Sequence, residues 1–402
     1  MSPAAPFRVL LFGSPDAKRV RLFLAAARNA GVAVEVVAYA DWLDGTVPVE
    51  RWNDPATVVR LDSPAECDRT ARHLLAAGFE RTVAIGRTPV DPSRLAAAGI
   101  EKGQIVQPTQ WAAGLGGVLS ELAERLDAVQ WMTPPATVSR LFDKVETTRT
   151  WDAEDRPVVP ILGEPSGYDE VAAMLQTCPR LFLKHRFGFS ATGAIALHRQ
   201  RRGLRAMTAT RLRNGKLLLS KSLDVLTSEQ TIAPLIDALC QQGLIAQRWL
   251  PKRHVLGRNL DFRVVTVGGE AAHLVGRLAG SPFTNLNLNA SRLSAAAAAS
   301  QLGDETMQSI RDLAERGAAS FPDALYLGVD ILIRPDGQLA LLEANAFGDY
   351  LPRLMWDDRS THEVELERLP ERLPERLLSQ GASRLSDRQL GSPRVVSVRG
   401  SR

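Results

Sequence analysis

Two acidic residues stand where buried strands ordinarily carry none. The apolar run Tyr326–Ile333 holds Asp330, and the run Gln338–Asn345 ends on Glu343-Ala344-Asn345. Between them lies Arg334-Pro335-Asp336-Gly337, whose Pro and Asp-Gly are turn chemistry, so the two runs read as an antiparallel hairpin. An early residue on the first strand then lies beside a late one on the second. Asp330 and Glu343 are expected on one face, with Asn345 one pleat beyond Glu343 on the same side. Two carboxylates held together need a cation. A set of two acids and an amide offers oxygen only, which suits Mg²⁺, an ion that takes one or two carboxylates plus substrate phosphates. An ordinary exposed hairpin with acids at its mouth fits the same residues.

Basic residues recur upstream at places that matter for phosphate. Lys144, in Phe142-Asp143-Lys144, is predicted in the middle of a helix from Arg140 to about Trp151, capped by Thr137 or Ser139. A solvated helix lysine is the plain alternative. Arg180–Lys184 reads as a strand ending on a lysine, followed by the small-residue loop His185–Gly193 and a second strand to Leu197. A terminal lysine beside a loop of exposed N–H groups makes a phosphate clamp, although hairpins with a lysine at the end are common. The stretch Leu244–Pro251 contains Gln247-Arg248-Trp249-Leu250 and reads equally as a hinge or as a buried strand ending in a proline turn. Asn259–Val267, the turn Gly268-Gly269 and Glu270–Leu278 form a further predicted hairpin. Its alternation puts Asp261, Arg263 and Val265 on one face and brings Arg277 near Asp261 and Arg263, a group that could equally be a structural ion-pair network. The amide-rich loop Ser281–Asn289 follows and contains Asn285.

The elements that carry these residues begin with a different pattern. Strand Phe7–Phe12, a Gly13 turn, a helix from about Asp16 to Ala30 and strand Val32–Ala38 make a βαβ unit and imply a parallel sheet. A strand at Thr57–Leu61 and a helix at Glu66–Ala77 continue it, and Val83–Ile85 is a candidate further strand. Gly13-Ser14-Pro15-Asp16 lacks the glycine fingerprint of a dinucleotide fold, so NAD is not expected. Asn214-Gly215 predicts a hairpin between Met207–Leu212 and Lys216–Ser220. A helix is expected at Ile232–Cys240 and another from Ser294 to Ala318. Glu367–Leu377 repeats every four residues with a proline in each repeat, which forbids a regular helix. The stretch from Ser379 onward has little to bury and reads as disordered, or as a basic arm.

Composition narrows the class. The chain has 402 residues, enough for two to three domains, with 45% hydrophobic and 23% charged residues, ordinary for a globular protein. No apolar run reaches the roughly 18–20 residues needed to cross a bilayer, and the N-terminus lacks the pattern of a secretory signal. Three scattered cysteines make neither a disulfide frame nor a metal cluster, and a reducing cytoplasm is expected. A net charge of +4 is a weak argument for nucleic acid, which is not expected as a partner.

The order of the pieces is more specific than any one of them. A helix with Lys144, a strand with Lys184, a small-residue loop, a hinge strand, an Asp-x-Arg hairpin and then Asp330…Glu343-x-Asn345 resembles the ATP-grasp superfamily, in particular its glutathione synthetase and RimK-like branch. The resemblance covers residues 131–355 and implies an α/β chain: a Rossmann-like parallel-sheet pre-grasp domain over 1–130, then a two-subdomain ATP-grasp fold. Its first part with the lid would span 131–246, its second part 247–360, and a disordered Pro/Arg-rich tail 361–402. By that resemblance Lys144 and Lys184 are nucleotide lysines, and Gly188, Ser190 and Gly193 belong to the phosphate-covering loop. Gln247, Arg248, Trp249 and Leu250 receive adenine, with Asp261 also on the nucleotide side. Arg263, Arg277 and Asn285 are catalytic, and Asp330, Glu343 and Asn345 hold Mg²⁺, with Mn²⁺ as the alternative ion.

The activity implied is ATP-dependent joining of a carboxylate to an amine through an acylphosphate, on small molecules or a peptide terminus, with a homo-oligomer as one option. An ATP-binding regulatory or scaffold protein and a phosphotransferase are the other readings of the same fold. The chain departs from the family pattern at Ala191 (the middle loop glycine), at Arg248 (an acid in relatives) and at Ala346–Tyr350 after the metal ligands.

Overall fold

The computed structural model describes residues 7–94, 99–189, 191–347 and 351–374. Three sheets organise the described residues. The first is parallel: β1 (Arg8–Phe12), β2 (Ala33–Val37) and β3 (Thr57–Leu61) pair in the order β2-β1-β3. The next strand, β4 (Gln104–Ile105), leaves for the second sheet, and β5 (Gln130–Trp131) returns to pair with β3. Helix Lys18–Asn29 covers one face with Val20, Phe23, Ala26 and Ala27. Helices Asp68–Ala77 and Pro108–Arg125 pack on each other so closely that a side-chain carbon on Gly114 would sit 1.8 Å from the Leu74 carbonyl oxygen. Only glycine fits there.

The second sheet is antiparallel and has seven strands, ordered β4-β10-β9-β8-β7-β11-β6. Its members are β6 (Ile161–Gly163), β7 (Arg180–His185), β8 (Ile195–Gln200), β9 (Gly203–Arg213), β10 (Lys216–Leu226) and β11 (Leu244–Arg248). The predicted Asn214-Gly215 turn joins β9 to β10 with both residues at positive φ, +50° and +73°. Helices Tyr168–Thr177 and Glu229–Cys240 bury Val171, Leu175, Ile232 and Leu239 against this sheet.

The third sheet is also antiparallel: β12 (His254–Val255), β13 (Arg258–Val267), β14 (Glu270–Ala279), β15 (Ser291–Leu293), β16 (Tyr326–Ile333) and β17 (Leu339–Asn345), ordered β15-β14-β13-β16-β17 with β12 on β13. All of β16 and nearly all of β13 are buried, as befits central strands packed on both faces. Ile310, Leu313 and Ala314 of helix Asp304–Ala319 close one face of it. Val265, Val275 and Tyr326 on the other join the helix Lys18–Asn29 core.

Four expectations differ from what the chain does. Val83–Ile85 is not a strand: residues Phe79–Ala84 are helical, and the Thr82 hydroxyl donates to the Gly78 carbonyl at 2.7 Å. A short apolar run does not separate the two states by itself. The expected 140–151 helix is two, Pro135–Phe142 and Lys144–Ala153, broken at Asp143. The Asp143 carboxylate accepts the N–H groups of Val145 (2.9 Å) and Glu146 (3.3 Å), so it is the N-cap, and Thr137 and Ser139 lie inside the first helix. Lys144 therefore opens a helix instead of sitting mid-helix. The Ser294–Ala318 helix likewise divides into Ala295–Leu302 and Asp304–Ala319 at Gly303, whose φ is +85°.

The fourth correction concerns the disordered tail expected from 361. Residues Thr361–Arg368 form a helix, opened by a capping box between Ser360 and Glu363 and followed by a turn at Leu369–Arg372. It buries Val364 and Leu366 in the core shared with the first helix of the chain. The prolines of the repeat begin only after this helix ends, and residues 375–402 lie outside those described. No described helix is long and apolar enough to cross a membrane.

Candidate active site

The strand register sets the charges. On β13, Asp261 lies opposite Arg277 of β14, and Arg263 lies opposite Asp330 of β16. Asp330 in turn faces Glu343 on β17, and Gly328 faces Asn345, as the hairpin predicts. A bulge at Leu342, between the pairs Asp330–Glu343 and Ile331–Leu341, re-aims the end of β17.

Basic side chains surround the two acids. Arg263 holds Asp330 through both arms of its fork, with Nη2–Oδ2 at 3.1 Å. Arg277 bridges Asp261 (Nε–Oδ1, 2.8 Å) and Asp330 (Nη2–Oδ2, 3.1 Å). Lys184 lies 3.5 Å and Lys144 3.9 Å from Glu343 Oε2. Burial alone would push the Glu343 carboxyl up, but Lys144, Lys184, Arg263 and Arg277 outweigh it and hold it down at about 2. Burial lowers the Lys144 ammonium, an effect that Glu343 opposes and Lys184 reinforces.

Lys144 also donates to the Gly188 carbonyl at the start of the loop between β7 and β8. Asp143, which caps the helix of Lys144, is gripped by Arg186 of that loop (Nε–Oδ1, 2.8 Å), whose Nη1 reaches Glu164 at 3.2 Å. The loop ends at Gly193, with φ +69°, where an added Cβ would fall 2.1 Å from the His185 ring. Ala191, the departure from a middle glycine, adopts φ +61° nonetheless. The left-handed conformation is thus kept without glycine, at the small cost an alanine there entails. His185 is fully buried, and burial, with Lys144 nearby, lowers its imidazole to about 4 against the raising effect of the Gly243 carbonyl.

Beneath the loop is a cleft of about 850 Å³. Lys144, Lys184, Gly188, Asp261, Arg277, Asn285, Asp330 and Glu343 line its polar end. Gln247, Arg248, Trp249 and Leu250 line the other, with Val159, Phe182, Phe283, Leu332 and Leu342 as apolar plates. Phe182 and Phe283 pack at 5.2 Å between ring centroids. Apolar plates at one end and cations at the other match a flat aromatic base carrying phosphates.

A second cleft, about 1600 Å³, shares Lys144, Gly188, Phe189, Arg277, Asn285 and Glu343 with the first. It adds Arg263, Asn345 and the Ala346–Phe347 stretch, and on its far side Arg19 and Ser63 from the parallel-sheet end of the chain. The expected site residues therefore converge: those named above share the first cleft, Arg263 and Asn345 wall the second, and Gly193 shapes the loop without lining either. Ser190 lies outside the described residues.

Three residues escaped the sequence reading. Lys252 bonds Asp261 at 2.7 Å and the Thr284 hydroxyl at 2.6 Å, and the same hydroxyl donates to Asp261. Burial lowers this ammonium, while Asp261 raises it. Only its position just after the hinge proline marks it in the sequence, and Thr284 is marked only as the neighbour of Asn285. His185 alternates away from Lys184, and nothing in sequence separates it from a surface histidine.

Among the described residues no group of three His, Cys, Asp or Glu side chains could hold a metal. The available donors are the Asp330 and Glu343 carboxylates and the Asn345 amide, whose Nδ2 donates to the Gly328 carbonyl at 3.3 Å and so orients the group. A hard ion that completes its shell with phosphate oxygens and water fits this set.

A profile of YheC/D-like ATP-grasp proteins matches residues 135–350. A search of curated protein sequences found no match. Among solved structures, the D-cycloserine synthetase DcsG superposes with a TM-score of 0.54 at 15% identity, over 91% of this chain and 99% of that one. A RiPP-associated ATP-grasp ligase of Chryseobacterium gregarium, in complex with ADP and a leader and core peptide, gives 0.52 at 12% identity over 92% and 98%. The ATP-grasp ligase PsnB, complexed with a variant of its minimal precursor, Mg and ADP, gives 0.50 at 15% identity over 92% and 99%. These likenesses span nearly the whole chain and speak for the fold, and with the profile match over more than half its length this chain belongs to the YheC/D-like ATP-grasp family.

Proposed function

We propose that the protein is an ATP- and Mg²⁺-dependent carboxylate–amine ligase that works through an acylphosphate. The observation that carries this reading is the meeting of Lys144, Lys184, Asp330 and Glu343 at the polar end of a cleft with apolar walls, next to Arg263 and Arg277 and a second, larger cleft. ATP would lie with its base between Phe182, Val159 and Leu332 and its phosphates against the two lysines. Asp330, Glu343 and Asn345 would hold Mg²⁺, which neutralises charge on the phosphates when bound. With Asp330 turned to that ion, Arg263 and Arg277, which hold Asp330 here, would be left to face a substrate carboxylate.

The chemistry balances without a nucleophilic side chain. A carboxylate oxygen of the acid attacks the γ-phosphorus, the bond to ADP breaks, and a mixed anhydride forms. The amine then attacks the carbonyl carbon, phosphate leaves with one oxygen of the former carboxylate, and the amine proton is lost to solvent or a base. Arg263 and Arg277 stand where they can stabilise the oxyanion of that second step. The loop 186–193 excludes water while the anhydride exists.

The test is ADP release from ATP and Mg²⁺ in the presence of pooled carboxylic acids and amines. The wild type is expected to release ADP only with an acid present. Glu343→Gln, which removes the charge facing both lysines, is expected to fall by about a hundredfold or more. ADP release that ignores the acid, or an unchanged Glu343→Gln, would refute the reading. A phosphorylated acid that never becomes an amide would indicate a phosphotransferase.

A further inference from the structure

Among its described lining residues the larger cleft holds more cations than acids. Its described lining holds five cations, Arg19, Lys144, Arg263, Arg277 and Arg292, against the single acid Glu343. Three of them are committed to the acids of the nucleotide end: Lys144 to Glu343, Arg263 to Asp330, and Arg277 to Asp261 and Asp330. Arg19 is paired instead with Asp62 of the parallel-sheet end, and Arg292 bonds a backbone carbonyl.

Arg292 sits on β15 directly opposite Arg277 of β14. Like charges placed opposite each other weaken a ladder, so the pair is kept at a cost that a bound anion would offset. Its side chain is exposed toward the cleft, with Nη1 donating to the Pro352 carbonyl, a neutral acceptor, at 2.6 Å. Arg19 comes from the helix after β1 and lies 3.5 Å from Asp62, which follows β3. The C-terminal ends of parallel strands are where such sheets receive ligands. Asp62 is itself enclosed and also lies 3.9 Å from the buried Arg60, so Arg19 is set by a rigid support.

On the ligase reading above, we propose that the acid substrate carries a second carboxylate besides the one that reacts, and that Arg19 and Arg292 bind it. The reacting carboxylate belongs beside Arg263 and Arg277, where phosphate is transferred. An arginine fork matches a carboxylate in two hydrogen bonds, which a neutral or cationic tail would leave unmade. The cleft, about 1600 Å³, has room for an acid with two such groups. An incoming ammonium gains nothing from these arginines, which assigns them to the acid.

The experiment is calorimetric titration of the protein saturated with ADP and Mg²⁺, using matched pairs: succinate and succinamate, glutarate and glutaramate, aspartate and asparagine, glutamate and glutamine. Each pair keeps size and removes one charge. At least one diacid is expected to bind, with its mono-amide weaker by about tenfold or more. Arg292→Gln and Arg19→Gln are each expected to weaken the diacid by on the order of tenfold to a hundredfold while ADP affinity holds, and Arg292→Lys to restore part of the loss. Equal binding of diacid and mono-amide, no diacid binding at all, or variants that bind the diacid like the wild type would overturn the proposal. ADP release, measured on the same pairs with amines added, reads the ligase reading separately. A diacid that binds through the two arginines and is never turned over would defeat that reading and leave the second-carboxylate site standing.

Discussion

His185 is buried under Gly193, next to Lys144 and Lys184, and burial keeps its imidazole neutral near pH 7. Its imidazole is lowered to about 4 from an unfolded value near 6.5, so above about pH 6.5 it is neutral in both states. As pH falls from there toward 4, the unfolded chain takes up a proton that the folded chain refuses. Stability is therefore complete above the unfolded value and is lost on the way down, by up to about 3 kcal/mol from this residue. Urea unfolding of wild type and His185→Gln across pH 4–7.5 measures it: the wild-type midpoint is expected to drop more steeply with acid than that of the variant. Parallel curves would mean that His185 accepts its proton without unfolding. Glu343 has the same sign but a lower window. Its contribution is present above the usual glutamate range and is lost from there down to about 2, so it meets the His185 experiment only at the acid end and is common to wild type and variant.

The 186–193 loop, the lid of the function proposed above, connects to the rest of the molecule through rings. Phe189 of the 186–193 loop is 47% exposed yet packs at 6.1 Å on Trp111 of helix Pro108–Arg125, which packs at 5.4 Å on Phe142, and Phe142 at 6.4 Å on Phe347. The row runs from the lid to the stretch beside Asn345 and borders the larger cleft. An aromatic pair adds roughly 0.5–1.5 kcal/mol, so Phe189→Leu is expected to weaken closure by about two- to tenfold. The readout is ADP released per amide formed, which should rise above one as water reaches the anhydride. A ratio that stays at one would free the lid from this contact. These rings were not legible in sequence, because Trp111 belongs to a helix whose partner loop lies far along the chain. What was legible followed from period-two alternation: the Asp330–Glu343 facing, the Arg277 approach to Asp261, and the Asn214-Gly215 turn. Helix ends fared worse. The break at Asp143 depended on a side-chain cap that competes with a continuous helical pattern, and the helix at 361–368 was too short to stand out beside the proline repeat that follows it.

At the scale of the molecule, a buried ionic group fastens the C-terminal helix to the parallel sheet and to the grasp. Arg60 of β3, 1% exposed, pairs with Glu365 of helix Thr361–Arg368, and its guanidinium lies 4.4 Å from the Phe23 ring centroid and 4.5 Å from that of Tyr326 on β16. His362 adds a contact to Glu365 at 3.2 Å. Removing one partner strands the other charge in the interior, so Arg60→Met is expected to cost about 3–5 kcal/mol in urea unfolding. A loss under about 1 kcal/mol would mean that water reaches the stranded Glu365. The same group supports Asp62 and, through it, Arg19, so the parallel-sheet end of the chain and the ATP-grasp end both wall the larger cleft. In the proposed ligase ATP activates a carboxylate by phosphorylating it, and isotope transfer follows the oxygen that moves. With an acid labelled with ¹⁸O in its carboxylate, the phosphate released per amide is expected to carry one labelled oxygen. Unlabelled phosphate released alongside product amide would mean that no carboxylate oxygen is phosphorylated.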